Sequence, residues 1–150
     1  MKVLLQRVSE ASVKVDQERV GRISRGLLLL VGISEQDTEE DVQFVAHKCV
    51  NLRIFEDDHG KMNRSLLESG GEILAISQFT LMGDTRKGRR PSFVRAASPE
   101  KGRLLYESFI EKLKNYDVNV QTGIFGAMMD VQLVNYGPVT VMVESKNESQ

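Results

Sequence analysis

Apolar and polar positions along the chain change their spacing several times, and each change predicts an element. In "ASVKVD", Val13 and Val15 alternate with Ser12 and Lys14, the two-residue period of a half-buried strand. Residues 2–9 and 11–16 read as strand, "DQER" (16–19) as a polar turn, and "RVGRI" (19–23) as a returning hairpin partner. "SRG" (24–26) turns the chain again. The run "GLLLLVGI" (26–33) has no polar face, which predicts a buried strand over 27–33; it is far too short to span a bilayer.

The period then lengthens. Over "DTEEDVQFVAHKCVNL" (37–52), Val42, Val45, Ala46, Cys49 and Val50 fall near one helical face. Asp37 or Thr38 can cap this helix, and Glu39, Glu40 and Asp41 suit its positive end. "LRIFE" (52–56) reads as a strand leading into the turn "DDHG", and "GEILAISQFTL" (71–81) as a further strand with a polar tail. Residues 82–97 have no period. "SPEKGRLLYESFIEKLKNY" (98–116) is the second helix. Ser98 caps it, Pro99 occupies its first position, and Leu105, Phe109 and Leu113 form its stripe. Strands follow at 118–121, 129–135 and 139–144, with a polar tail from about 145. The order β-β-β-α-β-β-α-β-β-β lacks the strict alternation of a doubly wound sheet. The expectation is one α+β domain over 1–150, a β-rich barrel or sandwich with two inserted helices.

Composition adds limits. At 150 residues, 41% hydrophobic and 27% charged, the chain matches an ordinary globular domain. Its formal net charge of −1 means that any basic site is local. One cysteine, Cys49, excludes an internal disulfide framework and a multi-cysteine zinc site. The start has no signal-peptide core, so the expected location is cytoplasmic, with no membrane partner. His47 and His59 belong to no metal motif, so no metal and no cofactor are expected. Phosphate-binding loops and nucleophile elbows are absent too. Chemistry in this chain must rest on hydroxyls, amides, backbone groups or the substrate itself.

Three stretches could carry it. "ISQFT" (76–80) gathers Ser77, Gln78 and Thr80 at a strand end, where capping hydroxyls are the plainer reading. "GDTRKGRRPSF" (83–93) packs Arg86, Lys87, Arg89 and Arg90 around Gly88. Such a loop can hold phosphates and Phe93 can stack on a base, though a solvated charge run has the same composition. "NYGPVT" (135–140) sets Gly137 and Pro138 inside an apolar strand. A Gly-Pro pair there is usually a turn or an edge bulge. It can also present rigid backbone to a substrate's α-carbon.

"SQFTL" (77–81), "GDTRKGRRPSF" (83–93) and "GPVT" (137–140) together resemble the signature segments of the D-aminoacyl-tRNA deacylases. "QRVSEASVKVD" at the start, "NLRIFED" with "GKMN", and "FGAMM" (125–129) fit as well, so the resemblance spans residues 1 to 145. It implies a homodimer of barrel-like domains with helices outside. The implied activity is hydrolysis of the ester joining a D-amino acid, or glycine, to the 3′-terminal adenosine of tRNA, a proofreading step for translation. The partner is the aminoacyl-tRNA 3′ end, not DNA. L-Aminoacyl esters are rejected by the Gly137–Pro138 pair, with a cis peptide, reaching into the neighbouring subunit's active site. Carried over by position, Ser77, Gln78, Phe79 and Thr80 line the pocket, and backbone N–H groups near Phe79 and Thr80 are oxyanion-hole candidates. Phe125 and Met129 hold the adenine. Arg86, Lys87, Arg89 and Arg90 are inferred to meet tRNA phosphates. One position departs: the family usually has Asp where this chain has Tyr136. Two readings without turnover stay open, a protein that binds RNA ends and a structural dimer.

Overall fold

The computed structural model describes residues 1–145, so nearly all of the polar tail lies outside the described residues. Among the described residues, eight strands and three helices follow one another: β1 (Lys2–Val15), β2 (Glu18–Ile23), β3 (Gly26–Gly32), α1 (Glu39–Asn51), β4 (Phe55–Glu56), β5 (Met62–Arg64), α2 (Leu66–Ser69), β6 (Glu72–Ser77), α3 (Pro99–Lys114), β7 (Val120–Thr122) and β8 (Asp130–Glu144). A 3-10 turn at Phe79–Met82 follows β6. This is the expected barrel-like β domain with two main helices.

A six-stranded sheet runs in the order β2-β1-β3-β6-β7, with β8 on the other side of β1. β1 is long enough to serve two hairpin neighbours. Its first half pairs with β3 and its second half with β2, while β8 follows it along its length. Asp16 and Gln17, both at positive φ, make the tight turn between β1 and β2. β3, β6 and β7 are mutually parallel. The sheet curls so far that β2 reaches β7: a Cβ on Gly21 would lie 2.7 Å from the Thr122 carbonyl oxygen.

Curling creates two apolar layers. Outside, Leu27, Leu29, Ile73 and Ala75 meet Val42, Val45 and Cys49 of α1 and Leu105, Phe109 and Leu113 of α3. Inside, Val8, Val13, Ile23, Leu28, Leu74 and Ile76 pack on one another. β3 and β6 are covered on both faces, which is why their sequences are nearly continuous apolar runs. Cys49 is buried and its thiol is pushed up to about 12 by desolvation, as suits a core residue. No helix among the described residues is long and apolar enough to cross a membrane.

Several expectations need correction. The strand anticipated over 71–81 ends at Ser77, and "FTLM" is a 3-10 turn. The strands anticipated at 129–135 and 139–144 are one strand, β8, with the Gly-Pro pair inside it. The strand at 52–56 shrinks to Phe55–Glu56, and its hairpin partner β5 and the short helix α2 were not anticipated. Thr38, not Asp37, caps α1: Asp41 Oδ2 accepts from the Thr38 backbone N–H (2.8 Å) and hydroxyl (3.2 Å). Asp37 is buried instead, accepting from the Met1 α-amino group (2.6 Å) and the Ser34 N–H (2.7 Å).

Candidate active site

β3, β6 and β7 point the same way, so the segments leaving their C-terminal ends gather at one end of the sheet. Val31 of β3 is level with Ser77 of β6, and Ala75 of β6 with Thr122 of β7. Ser77–Met82 and Gly123–Met129 therefore leave from neighbouring strand ends. Gln78 is the last residue held by the sheet, its N–H donating to the Val31 carbonyl (2.8 Å). The chain then winds into the 3-10 turn, with Leu81 N–H on the Gln78 carbonyl (3.2 Å) and Gly83 N–H on the Thr80 carbonyl (3.0 Å). The Phe79 and Thr80 N–H groups precede the first of these bonds, as the leading donors of a helical turn do. The Gln78 side-chain amide donates to the Thr80 hydroxyl, engaging one of its lone pairs. Gly32 makes this close seating possible. A Cβ there would stand 3.0 Å from Leu81 Cβ and 3.2 Å from the Gln78 carbonyl oxygen.

Phe79 is 60% exposed, a high value for a phenyl ring. It meets Phe93 edge to face, with centroids 5.2 Å apart. That contact ties the turn to the basic loop, whose ends are zipped by two backbone bonds between Asp84 and Ser92 (2.8 and 2.9 Å). Within the loop, Asp84 takes three bonds from Arg86: from its backbone N–H (3.0 Å), Nε (2.9 Å) and Nη2 (2.7 Å). These bonds, the side-chain ones foremost, hold the Asp84 carboxyl well below the usual carboxylate range. Arg86 thus shapes the loop and spends much of its charge inside it. Lys87, Arg89 and Arg90 are exposed and form no ion pair among the described residues. Asp84 and Arg86 also border a cavity of about 350 Å³ with Lys2 and Arg95, two cations that no local motif marks.

Phe125 and Met129 turn different ways. Phe125 is half-buried against α3, tilted on Tyr106 at 5.7 Å, with the Arg103 guanidinium carbon 4.8 Å from its ring centroid. Met129 packs with Val131 and Leu133 against the inner layer. The apolar side chains this segment leaves in the open are Ile124 and Met128, the latter 90% exposed; the sequence reading passed over both.

Gly137 and Pro138, joined by a cis peptide, are exposed and lie elsewhere. Pairing between β1 and β8 passes from Gln6–Thr140 to Val8–Asn135, so Arg7 alone faces residues 136–139. Arg7 is level with Leu27, and Leu27 with Ile73, four residues before Ser77 (77 − 73). At ~3.3 Å per residue and ~4.8 Å per strand spacing, the path along the sheet is ~13 Å down the strands and ~14 Å across. One chain therefore brings Ser77, Gln78, Phe79 and Thr80 together with the basic loop, while its own Gly137–Pro138 lies three strand spacings away along the sheet.

Comparison with known proteins gives this arrangement a family. The family model described as D-Tyr-tRNA(Tyr) deacylase matches residues 4–144. The chain is 59% identical to the D-aminoacyl-tRNA deacylase of Bacillus velezensis over 146 residues, covering 97% of this chain and 99% of that one. It is 61% identical to the enzyme of the same name from Brevibacillus brevis over 145 residues, covering 97% and 100%. Among solved structures, the c-Myc DNA unwinding element binding protein superposes with a TM-score of 0.93 at 40% identity, over 98% of this chain and 100% of that chain. A probable eukaryotic D-amino acid tRNA deacylase superposes with a TM-score of 0.83 at 21% identity, over 95% and 98%, a likeness of fold. The chain belongs to the D-Tyr-tRNA(Tyr) deacylase family.

Proposed function

We propose that this protein is a D-aminoacyl-tRNA deacylase that cleaves the ester between a D-amino acid and the 3′-terminal adenosine of tRNA. The observation that carries the reading is the near-complete match to curated deacylases, 59% and 61% identical over 97% of the chain. The site agrees with ester chemistry at a strand end. Phe79 and Thr80 N–H groups can receive the developing oxyanion, which preorganised backbone donors stabilise strongly. Among the described residues no base is hydrogen-bonded to the Thr80 hydroxyl, as a hydroxyl nucleophile needs; its side-chain bond is from the Gln78 amide. The attacking group is a water, placed by Thr80 and assisted by the ribose 2′-hydroxyl. Lys87, Arg89 and Arg90 meet tRNA phosphates. The terminal adenosine lies by the 123–129 segment near Phe125 and Met129.

The enzyme acts as a homodimer. β8 is a fifteen-residue edge strand that carries exposed Val134, Tyr136 and Met142. Long edges of this kind are normally covered. Because Gly137–Pro138 sits far along the sheet from its own Ser77–Thr80 turn, it serves the partner's turn. There its backbone excludes an L side chain and leaves room for a D side chain or for glycine. Such an enzyme proofreads charged tRNA in the cytoplasm.

The test is hydrolysis of D-Tyr-tRNA, L-Tyr-tRNA and Gly-tRNA by the purified protein under identical conditions. Rapid loss of the D and glycyl esters with the L ester intact is expected. Survival of all three esters, with tRNA still bound, would make the protein a binder of RNA ends.

A further inference from the structure

A buried cation lies under the Gly137–Pro138 pair. Arg7, on β1, is only 4% exposed. Its Nε donates to the Tyr136 carbonyl (2.9 Å) and its Nη1 to the Ile54 carbonyl (2.7 Å). Both acceptors are neutral, and Arg7 forms no ion pair among the described residues. A guanidinium removed from water without a counter-charge is costly unless something else faces it. Here that is the Tyr136 ring, whose centroid is 4.8 Å from Arg7 Cζ.

Tyr136 therefore holds Arg7 twice, through its carbonyl and through its π-face. It is also the first residue of the 136–139 loop that Arg7 alone faces. The far side of the loop is closed by Asn135, whose Oδ1 accepts from the Val139 N–H (2.7 Å) and whose Nδ2 donates to the Val139 carbonyl (3.2 Å). Gly137 sits directly on the guanidinium: a Cβ there would be 2.9 Å from Nη2. Arg7 is thus tied to this loop by its bond to the Tyr136 carbonyl, next to Gly137.

We propose that the Tyr136 ring is a specificity-setting positioning group. It covers the Arg7 guanidinium and thereby fixes the loop from which Gly137–Pro138 is presented. The inference rests on the reading of that pair as the chiral filter. Tyr136 touches no reacting atom; it sets how firmly the filter stands.

The test compares wild type with Tyr136→Phe, Tyr136→Leu and Tyr136→Ala. Initial rates on D-Tyr-tRNA and L-Tyr-tRNA are measured beside thermal melts and hydrogen exchange of the Arg7 Nε–H by NMR. Phe keeps the π-face and should keep the D/L rate ratio and a slowly exchanging Nε–H. Leu keeps apolar bulk without the π-face, so the ratio should fall about tenfold, the scale of one partly desolvated cation–π contact, with faster exchange. Ala should do the same or more. Equal ratios in Leu and wild type would overturn the proposal. So would a loss in Phe as large as that in Leu, or a change that merely tracks the melting temperature. A wild type without D/L discrimination would overturn the filter reading itself; the exchange rates would then decide separately whether the ring holds Arg7.

Discussion

The Thr80 hydroxyl takes its hydrogen bond from a neutral amide, and a neutral amide cannot remove its proton. That single contact separates two mechanisms. If Thr80 places a water, Thr80→Ala should slow D-Tyr-tRNA hydrolysis by roughly tenfold or less, the cost of lost orientation. If it were the nucleophile, losses of roughly 10⁴ or more would be seen, as when a covalent catalyst is removed. Single-turnover rates on D-Tyr-tRNA decide between them. At this scale local pattern in the sequence reached some contacts and missed others. Ser98 was legible as a cap because capping is local, and its hydroxyl does accept from the Lys101 N–H (3.3 Å). Asp37 looked like a cap for the same local reason, yet its partner is the amino group of Met1, thirty-six positions away. No short-range pattern contains that contact.

The basic loop and the two main helices are elements whose pattern is written within a few turns of chain. α1 and α3 emerged with their apolar faces as expected, because a buried stripe repeats every three to four residues. The 3-10 turn did not, because Phe79 and Leu81 alternate with Gln78 and Thr80 as strand residues do, even though the backbone has left the sheet. What bends it is Gln78 at φ −146 and ψ 80, seated against Gly32, a tertiary contact. In the loop, charge alone made Arg86 equal to its neighbours, whereas the structure pairs it with Asp84. This yields a distinct expectation. Replacing Lys87, Arg89 or Arg90 by Ala should each reduce the slope of log affinity for tRNA against log salt by about 0.7–0.9, one released counterion apiece. Arg86→Ala should reduce it less and should weaken binding by loosening the loop. Salt titrations of tRNA binding report both. A slope unchanged in the Lys87, Arg89 and Arg90 variants would remove the loop from the RNA interface.

At the scale of the whole molecule, strand order sets the turn after β6 apart from the Gly137–Pro138 pair, which the proposed reaction brings together across a dimer. The turn after β6 and the pair within β8 leave strands that are not neighbours, since β8 lies beyond β1 and β3 from β6. Strand order and register decide this, and neither is readable from periodicity; the expectation of a site shared between subunits comes from the resemblance only. Lys2 escaped notice for a related reason, since only the fold brings it to the cavity that Asp84, Arg86 and Arg95 line. A site assembled from two chains has a direct test in mixed dimers. One chain carries Gly32→Val, whose side chain would displace the 78–82 turn but leave the loop on β8 intact. The other carries Gly137→Ala, which is strained at φ 140 and crowds Arg7, but keeps its turn intact. Each homodimer should fail, the first in rate and the second in selectivity. Isolated heterodimers should recover roughly half the wild-type rate on D-Tyr-tRNA with L-Tyr-tRNA rejected, because one of two symmetry-related sites then joins a sound turn to a sound loop. A heterodimer that shows only the average of the two defective homodimers would place the filter and the turn on the same chain, and would contradict a site shared across the dimer.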